Sequence, residues 1–286
     1  MTTPRPLVQP ARVLAAALAV GTLFATAACS GSDSSASPES DASSTVAERG
    51  LAAQTTSPAA SSPAASESPS DLSEEGARNA LITPADIEDD WTQVRDPREW
   101  RDTLLVGGVD VAAFVDGQSD VQDCQRLVDA LFDETLLGKP TGVSAVTGFQ
   151  QGDSRLLYQV AAYDKAELDD SMQWLGELPD TCDQFTLTGG DAGERTVQVV
   201  ETSLPQAGDD RQGLTVTVKG ESSGDPVTLS LDVAAVQMGA NAITVTNGGL
   251  DGADHDTTSA AVEQGTQRLQ EVLAGRTPSP TPSGIN

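Results

Sequence analysis

The side chains capable of chemistry are few. They are three cysteines (Cys29, Cys124 and Cys182), one histidine, and the acid-rich run Asp251-Gly252-Ala253-Asp254-His255-Asp256 around that histidine. Three carboxylates and an imidazole are ligand types for a divalent cation, so Asp251, Asp254, His255 and Asp256 are the metal candidates. Their spacing does not match the EF-hand loop. Acids directly before an amphipathic segment also have a plainer use, capping the next helix at the positive end of its dipole. The plainer reading is adopted, and no metal or cofactor is expected. A lone histidine excludes multi-histidine metal sites and weakens a Ser-His-Asp arrangement. Ser-x-x-Lys and a phosphate-cradling Gly-Lys-Ser/Thr loop do not occur after residue 28. Among 43 acids no carboxylate pair stands out for glycoside hydrolysis.

The cysteines are better explained by covalent chemistry than by catalysis. Cys29 ends the run Leu23-Phe24-Ala25-Thr26-Ala27-Ala28-Cys29, behind Arg5, Arg12 and an apolar stretch from Val13 to Ala25. A basic region, a short apolar region and small residues form a secretory leader. The apolar stretch is shorter than the roughly 20 residues that span a bilayer. A cysteine at the cut makes it a bacterial lipoprotein signal, with residues 1–28 removed and lipid placed on Cys29. Thr26 stands where such signals usually carry Leu, and an ordinary secreted protein is the alternative. An odd cysteine count in an exported chain leaves one thiol to explain. With Cys29 lipidated, Cys124 and Cys182 are left to form a structural disulfide in an oxidising compartment.

Charge narrows the partners. The chain carries a net charge of −27, and without residues 1–28 it keeps 14 basic residues against 43 acidic ones. Such a surface repels nucleic acid, whose binding needs Lys and Arg on the phosphates, and it disfavours flat docking on anionic lipid headgroups. Electrostatic steering would favour cationic partners.

The elements that must position these groups follow from pattern. Residues 29–70 are nearly all Ser, Ala, Pro, Thr, Asp and Glu. They cannot bury enough apolar surface to offset chain entropy, so they are expected to form a disordered stalk with a typical reach of ~35 Å. Residues 276–286 read as a second disordered tail, and 71–275 as one domain. Within it, Ala80 to Ile87 reads as a short helix or turn. A helix starts at a Ser119-x-x-Gln122 capping box, carries Val121, Cys124, Leu127, Val128, Leu131 and Phe132 on one stripe, and stops at Gly138 and Pro140. Residues 143–149 and 155–163 form a hairpin. A second helix begins at Asp164, buries Leu168, Met172 and Leu175, and ends at Pro179. Four segments, 194–201, 213–219, 227–238 and 242–247, alternate apolar and polar residues as an antiparallel meander with one wet face. The phase slips at Ala234-Ala235, which predicts a bulge. A last helix, 256–274, turns Val262, Leu269, Val272 and Leu273 inward. The fold class is α+β: an antiparallel sheet of about five to six strands packed with three main helices and one disulfide. Trp91, Trp100 and Trp174 are assigned to core packing.

Taken together, Ala80-Leu81-Ile82-Thr83-Pro84-Ala85-Asp86-Ile87 with Trp91, Cys124-x-x-Leu127, Leu157-Tyr158-Gln159-Val160, and Met172-x-Trp174 before Cys182 resemble the PknH-like extracellular sensor domains of actinobacteria. That domain also occurs in stand-alone lipoproteins. The resemblance implies an antiparallel sheet with helices around a cleft, and ligand sensing without catalysis. It departs in disulfide number, since those domains carry two and this chain can form one. The functional expectation is a non-enzymatic, monomeric lipoprotein on the extracytoplasmic face of the cell membrane. Its partners would be the membrane, through the N-terminal lipid, and a small-molecule, glycan or protein ligand. A lipid or glycolipid carrier, with a sheet cupping an acyl chain, is the second reading. A cell-envelope hydrolase with a carboxylate site is the third.

Overall fold

Leu214, Val216 and Val218 alternate with Thr215, Thr217 and Lys219, and this strand builds the centre of the meander. In the computed structural model, which describes residues 71–87, 90–190 and 192–279, it is β8 (Asp210–Ser222). It lies between β7 (Arg195–Glu201) and β9 (Asp225–Met238), and β10 (Asn241–Gly249) follows. The expected hairpin is β4 (Ser144–Gln151) and β5 (Ser154–Ala162), turned at Gly152-Asp153 with Gly152 at φ 49°. Two short strands complete the sheet, β1 (Thr92–Gln93) beside β4 and β6 (Gln184–Leu187) beside β7. The order is β1-β4-β5-β10-β9-β8-β7-β6, antiparallel at every junction. Eight strands thus stand where five to six were expected, because edge strands of two and four residues leave no alternation to read. A separate ribbon pairs β2 (Leu105–Val106) with β3 (Val109–Asp110).

The helices cover the sheet unequally. Three are substantial: α4 (Gln122–Asp129), α5 (Lys165–Thr181) and α6 (His255–Leu273). α1 (Glu74–Asn79), α2 (Pro84–Ile87), α3 (Val111–Val115) and a 3-10 turn (Pro97–Arg101) are short. On one face α5 packs on β7, β8 and β9, and the 3-10 turn packs on β4. The core there includes Trp100, Phe114, Leu127, Leu168, Leu175, Val216 and Leu231. On the other face α6 lies on β9 and β10, and α1 on β4 and β5. A second core there gathers Ile82, Trp91, Phe149, Tyr158, Val236, Ile243, Val262 and Leu269. All three tryptophans are buried.

Several expectations need correction, and each has a local cause. No bulge occurs at Ala234-Ala235, because the β8–β9 register runs unbroken through Gly213↔Ala234 and Gln212↔Ala235. The apolar phase slips there because this part of β9 is covered on both faces, with Ala234 in one core and Ala235 in the other. Pro179 does not end α5, which continues to Thr181 and closes on Cys182, whose N–H bonds the Leu178 carbonyl. α4 is shorter than its stripe: Val121 is the N-cap and is exposed, and Phe132 sits at φ 56° outside the helix. Ser119 does not form the capping box; its Oγ accepts from the Val121 N–H at 3.2 Å. The cap of α5 is as expected, with Asp164 accepting from the N–H groups of Ala166 and Glu167.

Two fastenings hold the β6–β7 end. Cys124 and Cys182 are bonded, S–S 2.04 Å, across 58 residues, which ties the first turn of α4 to the end of α5. The chain-entropy model gives such a closure about 4 kcal/mol. Arg195, fully buried in β7, donates Nη1 to the carbonyls of Gly189 (2.6 Å) and Gly193, and Nη2 to the carbonyl of Asp116. Its guanidinium thereby gathers the 116–118 and 188–193 segments, which also meet in a Gln118↔Thr188 bridge. Burial pulls the pKa of this guanidinium down, partly offset by Asp116, yet a guanidinium stays charged.

Candidate functional site

The two ends of β10 carry different surfaces. At its start, β9 turns into β10 over Gly239-Ala240, with Gly239 at φ 62°. The turn is pinned on both sides: the Gly239 N–H donates to Asp209 Oδ2 at 2.7 Å, and the Ala240 carbonyl accepts from the Tyr163 N–H at 2.9 Å. Beside it the N–H groups of Thr141 and Gly142 share the Ala162 carbonyl, each at 3.1 Å. Above, α1 presses on the end of α6 at Gly76, where a β-carbon would lie 2.8 Å from Val272 Cγ1. Between these elements lies a cleft of about 770 Å³, floored by Leu72, Val143, Ala162, Met238 and Leu273, with Asp71 and Asp209 among its polar lining. Tyr163 also lines it. Its phenol is buried without a hydrogen-bond partner among the described residues. Burial and the nearby Glu134 carboxylate push the pKa of that phenol up, so it stays neutral.

At the far end of β10, the 251–256 loop faces the Gln151–Ser154 turn across a polar cleft of about 590 Å³. The four metal candidates are neighbours here but do not converge. Asp254 is the N-cap of α6, its carboxylate accepting from the N–H groups of Asp256 (2.9 Å) and Thr257 (3.3 Å). His255 turns the other way and meets Asp232 of β9, Nδ1 to Oδ2 at 3.0 Å. Asp232 is buried, and its other oxygen accepts from Thr215 Oγ1 at 2.8 Å. Among the described residues no group of three metal-type side chains comes together. Asp232 fixes the His255 ring, an arrangement that can present Nε2 as a base. Yet among the described residues His255 hydrogen-bonds no serine, threonine or cysteine side chain. The pairing explains the loop as the fastening that seats the start of α6 on the sheet.

Cys29 lies outside the described residues, as do the leader, the stalk and residues 280–286. Sequence reasoning missed Asp232 because it sits in phase with the outward series Thr228, Ser230 and Asp232 and looks like any wet position. It missed the apolar cleft altogether. Leu72, Val143, Ala162, Met238 and Leu273 come from five separated segments, and no motif joins them.

No protein-family model matches this chain, and no curated protein does. Among solved structures, the extracellular domain of PknH from Mycobacterium tuberculosis is similar over 71% of this chain and 100% of that one, with a TM-score of 0.43 and 12% identity. An uncharacterised protein from Mycobacterium smegmatis is similar over 68% of this chain and 99% of that one, with a TM-score of 0.38 and 14% identity. Both are distant similarities of fold.

Proposed function

We propose that this protein is a non-enzymatic, extracytoplasmic binding or sensor-like lipoprotein that takes its ligand in the cleft between α1, the end of α6 and the β9–β10 turn. The observation that carries the reading is the cleft itself. Its volume of about 770 Å³ falls inside the range usual for small-molecule sites, and a mostly aliphatic floor with a few polar groups is the usual composition of such sites. Cys29 is the lipid anchor in this reading, residues 29–70 are the stalk, and 71–275 form the sensor-like domain. The Cys124–Cys182 bond supports an oxidising compartment. The carrier reading is less favoured. Where a sheet cups an acyl chain one face must be open and apolar, whereas here both faces of β10 and of the adjoining part of β9 are filled by packed cores.

Two measurements test the proposal. Cys29→Ser should abolish fatty-acid labelling and release the protein from membranes; continued labelling refutes the anchor. A thermal-shift and native mass-spectrometry screen of cell-wall and secreted molecules should yield a ligand whose binding is lost when Ala240→Trp fills the cleft. A ligand that binds both forms equally refutes the site.

A further inference from the structure

The cleft carries a charge signature as well as a size. Its aliphatic floor is bordered by two carboxylates, Asp71 and Asp209, both exposed, and no lysine, arginine or histidine lines it. Asp209 is held in place from two directions. Its Oδ2 accepts the Gly239 N–H at 2.7 Å, and its own N–H donates to the Gln237 carbonyl at 2.8 Å. The remaining polar side chains of the lining, those of Thr141, Tyr163, Asn241 and Gln270, are uncharged. An anionic headgroup entering here would meet two carboxylates and no counter-charge, on a chain that already carries −27. A cationic headgroup would be drawn in by both the local and the overall field.

We propose that the cleft selects a cationic amphiphile: an aliphatic body lying on Leu72, Val143, Met238 and Leu273, with an ammonium or guanidinium group at Asp71 and Asp209. This rests on the cleft being the ligand site. It goes beyond that reading by excluding fatty acids and anionic lipids as the preferred class.

The test uses the full chain carrying Cys29→Ser, titrated below their micellar concentrations with dodecylammonium, dodecanoate and dodecanol. Binding is read by calorimetry and native mass spectrometry at low and high ionic strength. Dodecylammonium should bind on the order of tenfold tighter than dodecanoate, and the gap should narrow at high salt. The double variant Asp71→Asn, Asp209→Asn should bring the two affinities together. Ala240→Trp should remove binding; Leu273→Trp fills the same cleft from the helix side, should the turn variant fail to fold. Dodecanoate binding as tightly as the amine, or no binding by any of the three, overturns the proposal. Equal binding of all three that is lost on filling the cleft removes the charge selectivity but keeps the cleft as the site. Amine binding that survives filling is adsorption to an acidic surface, and it overturns both.

Discussion

The two halves of the sheet solve the same problem differently. β5, β10 and the adjoining part of β9 are covered on both faces: Leu157, Ala235 and Ala242 enter one core while Tyr158, Ala234 and Ile243 enter the other. β7 and β8 are covered on one face only. Val197, Val199, Leu214, Val216 and Val218 pack under α5, whereas Gln198, Thr217 and Lys219 face water. A doubly covered strand draws on two layers of burial, each large side chain contributing about 1.5–3 kcal/mol. A singly covered strand has half of that, and here it is fastened by other means, the disulfide beside β6 and the buried Arg195 in β7. The lesson is that covalent and polar fastenings are concentrated where apolar burial is thinnest.

If that contrast is right, removing the fastenings should hurt most. Reducing the Cys124–Cys182 bond, or changing both cysteines to Ala, should cost about 4 kcal/mol in urea unfolding. Hydrogen exchange should then speed up first in β6 and β7 and last in β10. Uniform loosening of all eight strands would break the comparison. Next in size, Arg195→Met should cost about 3 kcal/mol, since it removes charge-assisted bonds from three carbonyls. Its loss should be read by the same unfolding curves. A neutral result would show that water replaces the guanidinium freely.

A third test addresses the doubly covered half. Gly265 of α6 lies against the Tyr158 ring, where an added β-carbon would come within 2.8 Å of Cε2. Gly265→Ala should cost about 1–3 kcal/mol by forcing α6 off the sheet, while Thr217→Ala on the wet face should change stability by less than about 0.5 kcal/mol. Equal effects would erase the distinction between the faces. Tyr158 adds a pH signature to the same half. Burial pushes its phenol pKa well up, offset in part by Arg268, so the fold holds the neutral form. The stabilisation is complete below the unfolded value near pH 10 and is lost as pH rises beyond it. Tyr158→Phe should therefore flatten the alkaline fall in thermal midpoint.

The smallest effect is expected at Asp169, on the surface of α5. Hydrogen bonds from Gln237 Nε2 (2.6 Å) and then Lys165 Nζ (2.8 Å) hold its carboxyl below the ordinary range. A depressed carboxyl stabilises above its unfolded value, near pH 3.9, and loses that contribution as pH falls through the folded one. Asp169→Asn should therefore weaken the protein slightly at pH 7. The difference should shrink as pH falls below the unfolded value, as read by urea midpoints at neutral and acid pH.

Much of this architecture is legible in the residues. Strict alternation in β8, the Asp164 cap and the stripe of α6 each arise from contacts within a few residues, and they fix the α+β class. The cysteine count predicts the disulfide by elimination. Where one strand is buried on both faces, alternation vanishes, and so Ala234-Ala235 reads as a bulge when it is a continuous strand under two cores. Strands as short as β1 and β6 carry no period at all.

The candidate sites divide along the same line. The sequence by itself determined the acidic charge balance and the single histidine, which are sums over the residues. It also set out Asp251, Asp254, His255 and Asp256 as neighbours. Only the tertiary structure decided what they do, because Asp232, which takes up the imidazole of His255, lies 23 residues away on another strand. The cleft depends on tertiary structure still more. Leu72 and Leu273 stand at opposite ends of the described chain and meet only because α1 is packed onto the end of α6. A ligand-sized apolar surface assembled from five segments has no linear signature, since each of its residues obeys the ordinary rule for a half-buried aliphatic.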